Sequence, residues 1–100
     1  MPSRPPPKGP IPTIRKKIDR IDQKIMSLLV QRAGLALQIG QYKKEHQLPV
    51  YEPAREQEVC ARAAQLSRHP LSKTNAKNIF HAIIRVMRSI QLSRGTRHVS

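Results

Sequence analysis

The sequence predicts an all-α protein, one long N-terminal helix and two shorter ones, assembled as a homodimer in which two long helices cover each other. Three observations carry this expectation. Hydrophobic residues make up 38% of the chain and aromatics only 3%, with no Trp and one Phe. Any core is therefore built from Ile, Leu, Val, Met and Ala, a palette that suits helices. One apolar register recurs every seven residues at Ile14, Ile21, Leu28, Leu35 and Tyr42, and a second reads Ile18, Ile25, Arg32, Ile39 and His46. Together they form one face of an amphipathic helix, and that helix is too long for the rest of the chain to cover.

The first helix is expected from about Thr13, a candidate N-cap, to about His46. Asp19 and Asp22 near its start and Lys43 and Lys44 near its end suit the macrodipole, and Gly34 and Gly40 are tolerated interruptions. Its span is about 50 Å at about 1.5 Å per residue. A compact chain of this length has a radius of gyration of only about 13 Å. Two copies are therefore expected to cover each other's stripes.

Residues 47–53 form the first connection: Pro49 stops the first helix, and Pro53 fits the first turn of the second, which runs to about Leu66. Residues 67–71, with His69 and Pro70, break the chain again. Ser72 is the expected cap of a third helix reaching about Ser93, with Gly95 just beyond. Its stripe is Ala76, Phe80, Ile83, Ile84, Met87 and Ile90, and Gln91 continues that row as a polar amide.

The helical domain is thus expected over residues 13–94. Before it, residues 1–12 hold six prolines and two basic residues and read as a disordered or polyproline-like tail. After it, residues 95–100 read as a flexible tail. No stretch is apolar enough to span a membrane, and the N-terminus lacks the apolar segment of a secretory signal, so the expected compartment is the cytoplasm. The single cysteine, Cys60, excludes an internal disulfide and a cysteine-based zinc site and reads as a small packing residue. His46, His69, His81 and His98 show no metal-ligand spacing, and no metal or cofactor is expected.

Net charge is +13, which favours anionic partners, either nucleic acid or a small polyanionic substrate. A core stripe dominates the third helix and stacking aromatics are lacking, so nucleic acid is not the expected partner. The polar residues that break the apolar faces are more informative. A guanidinium cannot shed its proton, and burying one alone is costly. Arg32 must therefore meet a carboxylate, of the protein or of a ligand. Lys43 lies eleven residues on, about 20° around the axis, so it shares that face. Arg55 and Glu56 open the second helix beside the end of the first, and Gln91 comes from the third; one pocket lined by three helices gathers them all. Arg15 lies about 26 Å before Arg32 and about 100° around, out of reach of the same ligand unless a second chain presents it.

These residues match a family. Ile14-Arg15-x-x-Ile18-Asp19-x-Ile21-Asp22-x-x-Ile25-x-x-Leu28-Leu29-x-x-Arg32 resembles the opening of the all-helical (AroQ) class of chorismate mutase. So do Ile39-Gly40-x-Tyr42-Lys43 and Pro49-Val50-Tyr51-Glu52-Pro53-x-Arg55-Glu56, and the resemblance extends over about residues 14–91. It implies an intertwined three-helix dimer with two equivalent sites, which isomerises chorismate to prephenate on the route to phenylalanine and tyrosine. By the same resemblance, Arg32 and the second chain's copy of Arg15 bind the two substrate carboxylates, and Arg55 supports the substrate's carboxylate end or the surrounding network. Lys43 and Gln91 donate to the ether oxygen of the breaking bond. Glu56, with Glu52, holds the ring hydroxyl, and Ile39 and Ile84 pack on the ring.

The implied chemistry suits these residue types. A pericyclic rearrangement needs no nucleophile, metal or proton transfer. Arginine forks clamp carboxylates in a fixed geometry. Such positioning supplies up to about 7–11 kcal/mol, and a donor at a developing negative oxygen about 3–4 kcal/mol. The chain departs from the family pattern at Glu52, where many members have Asp, and at Met87, where many have Ser or another small polar residue that contacts substrate. Gln91 in place of Glu implies a broad activity plateau across neutral pH. Within the same fold, an isochorismate pyruvate lyase or an amino-deoxychorismate mutase is the alternative, and a partner enzyme of the same pathway is a further expectation. A small basic nucleic-acid binder is the alternative of a different class.

Overall fold

The computed structural model describes residues 8–93. They form α1 (Ile11–Glu45), α2 (Pro53–Leu66) and α3 (Lys73–Ser93), with no strand among the described residues. Among the described residues, no helix is long and apolar enough to cross a membrane. Residues 1–7 of the expected N-terminal tail, and the C-terminal tail with Gly95, lie outside the described residues.

α1 begins two residues before the expected cap. The Ile11 and Ile14 N–H groups donate to the carbonyls of Lys8 and Pro10, both at 3.0 Å. Pro12 therefore sits in the first turn, where a missing N–H costs nothing, and Thr13 lies inside the helix. The other end closes with a Schellman arrangement: Leu48 N–H donates to Lys43 O at 2.8 Å and Gln47 N–H to Lys44 O at 3.4 Å. Gln47 itself takes the left-handed conformation (φ 52°) that this closure requires.

Pro53 opens α2, as expected, and Ser67 closes it by donating from Oγ to the Ala64 carbonyl at 2.7 Å. Ser72 caps α3: its Oγ accepts from the Asn75 N–H at 3.0 Å.

The chain divides into two compact units, residues 1–32 and residues 33–100. The first contains a stretch of α1 and no other helix. On it Ile11, Ile14, Ile18, Ile21, Ile25 and Leu28 are 44–63% exposed. The stripe read as an inward face is thus uncovered in the single chain, because a lone helix cannot bury its own apolar side.

In the second unit α2 packs on α3. The core is small: Val59, Cys60 and Ile84 with Phe80 against them, and the buried Ala63, Ala64, Ala76 and Met87 around it. Cys60 packs there, its Sγ 3.6 Å from His81 Nδ1. On the α1 portion of this unit Leu35, Ile39 and Tyr42 remain exposed.

Candidate active site

The site forms around a backbone contact between α1 and α3. A Cβ at Gly40 would stand 2.8 Å from both the Cα and the carbonyl oxygen of Gln91. Only a residue without a side chain permits that approach. One turn further along α1, Lys43 is thereby brought beside Gln91, and its Nζ donates to Gln91 Oε1 at 3.1 Å. The same ammonium donates to the Val50 carbonyl at 3.0 Å and pairs with the Glu52 carboxylate.

Lys43 is 7% exposed, and among the described residues it is the one buried charged side chain. Its three N–H donors meet three acceptors, which is how an interior ammonium becomes tolerable. An ammonium accepts nothing, so the amide oxygen of Gln91 must face it and the amide NH2 must face away. That NH2 has no acceptor among the described residues.

A second polar network adjoins the first. Glu52 stands at the N-cap position of α2 without capping it, and Glu56 follows one turn later, its N–H donating to Glu52 O at 3.0 Å. Arg88 of α3 grips the Glu56 carboxylate with a two-point fork, Nε to Oε2 at 3.0 Å and Nη2 to Oε1 at 2.7 Å. Its guanidinium carbon lies 4.9 Å from the centroid of the Tyr51 ring. The hydrogen bond to Glu56 holds the guanidinium proton more tightly than usual, against a partial burial that works the other way.

Other expected site residues lie elsewhere. Arg55 donates to Glu58 Oε1 at 2.7 Å, in an i,i+3 pair with both side chains more than half exposed. That hydrogen bond, and then the Arg55 charge, holds the Glu58 carboxyl below its ordinary value. Ile39 is open to solvent. Ile84 is buried and packs with Val59 and Cys60. Met87 is likewise buried, at 5%.

Arg15 and Arg32 belong to the first unit, the former exposed and the latter half-buried. Among the described residues of that unit, neither they nor Asp19 and Asp22 form an ion pair.

Arg88 was missed by sequence reasoning, and Tyr51 was quoted in the family motif without a role. The available signal was spacing: Arg88 precedes Gln91 by three residues and so shares its side of α3.

The cluster thus presents an amide donor fixed by a buried cation and, beside it, a carboxylate fixed by a guanidinium. It can stabilise a developing negative oxygen and accept a hydrogen bond from a hydroxyl.

A profile of the family described as chorismate mutase type II matches residues 14–92. The chain is 33% identical over 79 residues to a chorismate mutase of Methanocaldococcus jannaschii, covering 78% of this chain and 80% of that one. It is 44% identical over 55 residues to a bifunctional chorismate mutase/prephenate dehydratase of Aquifex aeolicus. That match covers 55% of this chain and only 15% of the longer protein. Among solved structures, a chorismate mutase from Helicobacter pylori in complex with prephenate superposes with a TM-score of 0.76. It is 28% identical and covers 84% of this chain and 91% of its own.

Proposed function

Because this chain belongs to the chorismate mutase type II family, we propose that it rearranges chorismate to prephenate. The observation that carries the reading is the buried Lys43 ammonium holding Gln91 of α3 by its amide oxygen. Charge develops on the ether oxygen as the C–O bond of chorismate breaks. A Gln91 NH2 already oriented by Lys43 donates there with little reorganisation, the condition under which such donors are most effective.

Lys43 reaches the same oxygen by exchanging one acceptor. Glu52, whose side chain is 50% exposed, is the one most easily exchanged for water. Glu52 and Glu56 then meet the ring hydroxyl. Arg55 turns to the substrate's carboxylate end by leaving Glu58, since an exposed and salt-screened pair offers little resistance. Arg15 and Arg32 take the two carboxylates, with Arg15 given by a second copy, as the family resemblance implies. The uncovered stripe through Ile14, Ile18, Ile21, Ile25 and Leu28 supports a homodimer that buries it. A monomeric mass by light scattering at micromolar concentration would remove that part of the reading. The free, buried thiol of Cys60 suits a reducing cytoplasm.

The deciding experiment is a steady-state assay of chorismate loss and prephenate formation, with isochorismate as a second substrate. Turnover of chorismate is expected, with a loss of about 10³-fold or more in Lys43→Met. Absence of chorismate turnover in the unaltered protein would overturn the proposal.

A further inference from the structure

We propose that Arg88 makes the Glu56 end of the site selective for a neutral hydroxyl on the substrate ring over an amine at the same place. The inference rests on the chorismate mutase reading and deepens it, since the family also has amino-deoxychorismate as a possible substrate class.

The argument starts from charge. A carboxylate offers about four acceptor positions over its two oxygens. The Arg88 fork uses one on each, at 3.0 and 2.7 Å, and leaves the others open. A hydroxyl needs only an acceptor, and Glu56 still provides one. An alkylammonium needs a counter-charge, and Glu56 has already spent its charge on Arg88. The incoming cation would also lie beside a guanidinium that cannot deprotonate.

Relief by movement is restricted. Arg88 is held from two sides, by the Glu56 fork and by the Tyr51 ring beneath it. The other carboxylate at this end, Glu52, pairs with the Lys43 ammonium before substrate arrives. Arg88 touches neither reacting bond. It acts through Glu56, as a positioning and specificity-determining residue.

The test compares kcat/KM for chorismate and for the analogue in which an amine replaces the ring hydroxyl. It uses the full chain unaltered and with Arg88→Met, Arg88→Gln or Arg88→Lys. The unaltered protein is expected to favour chorismate. Removing the charge, in Met or Gln, is expected to shift the ratio toward the amine by about tenfold, the scale of one partly screened charge at short range. Lysine keeps the charge without the fork and should hold the ratio within about threefold. A purely structural role for Arg88 would lower both substrates together. The inference fails alone if chorismate is turned over but either folded neutral variant keeps the original ratio. It also fails if the unaltered protein uses both substrates equally. If the unaltered protein does not turn over chorismate, the functional reading falls and this inference with it.

Discussion

Replacing Gly40 by alanine adds one methyl group where α1 meets α3. The new Cβ would lie 2.8 Å from the Gln91 Cα and carbonyl oxygen and 3.1 Å from its Cβ. Carbon atoms are comfortable at about 3.5–4.0 Å, so the α3 backbone must withdraw by roughly 0.7–1.2 Å. The obstacle is main chain and cannot swing aside. Withdrawal stretches the Lys43–Gln91 bond, now 3.1 Å, beyond hydrogen-bonding range. Overpacking costs about 1–3 kcal/mol, and weakening a bond to a charged group about 1.5–3 kcal/mol. Alanine's better helix propensity returns about 1 kcal/mol. The net loss is about 1.5–5 kcal/mol, and at about 4–8 °C per kcal/mol in a domain of this size it lowers Tm by at least roughly 6 °C. Misplacing Gln91 by about 1 Å should lower kcat by about 10²-fold. Gly34→Ala is the control, because nothing lies within 4 Å of its would-be Cβ. It should raise stability by up to about 1 kcal/mol. Thermal unfolding followed by circular dichroism, with steady-state turnover, reads both. If Gly40→Ala proves as stable and as active as Gly34→Ala, the close approach does not organise the site.

Four further outcomes follow from the same geometry. Gln91→Leu should lower kcat by about 10²–10³-fold, and adding Lys43→Met should cost less in this background than alone, because the two act as one donor set; strictly additive losses would contradict the coupling. Arg15→Ala and Arg32→Ala should each be inactive, yet refolding them together in equal amounts should restore about a quarter of normal turnover, since only a mixed dimer assembles one intact site; no recovery would show that Arg15 is not shared between chains. Gln47→Gly relieves a left-handed residue (φ 52°) and should raise stability by about 0.5–1 kcal/mol, read as a higher urea midpoint with unchanged slope, whereas a lowered midpoint would refute the C-cap assignment. Glu58, held below its ordinary 4.5 by the Arg55 hydrogen bond and charge, contributes stability that is complete above 4.5 and lost as pH falls through its folded value; the Tm gap between the protein and Glu58→Gln should therefore close on acidification, and a widening gap would reverse the sign of the argument.

The helix boundaries were legible where single residues decide them. Pro53 at the start of α2 and Ser72 at the cap of α3 act locally, and the chain obeys both. The start of α1 was read two residues late because its prolines suggested a tail, yet a proline in a first turn removes only a donor that has no partner. Lys43 and Gln91 were legible as polar interruptions of apolar faces. What they do to each other was not, because the orientation of an amide depends on its neighbour in space. Gly40 looked like a tolerated helix glycine, since its reason is a backbone at the far end of α3. Arg88 meets Glu56 32 positions away, and no periodicity within α3 announces that partner. Ile84 was placed against the ring by the family resemblance alone, and its packing with Val59 and Cys60 is a contact that the stripe of α3 does not announce.

The three acceptors of Lys43 explain why fold and site cannot be separated here. One comes from the connection after α1, one from the N-cap position of α2 and one from α3. An ammonium at 7% exposure is stable only while all three elements hold their places. The same requirement fixes Gln91, because a group that can only donate admits only the amide oxygen. The buried charge thus converts helix packing into a defined direction for the Gln91 N–H groups before any substrate arrives. A neutral lysine isostere could fill the space, but it would leave the amide free to turn over. A second amide could hold Gln91 in either sense. Only a cation in that position makes the direction of the donor a consequence of the fold.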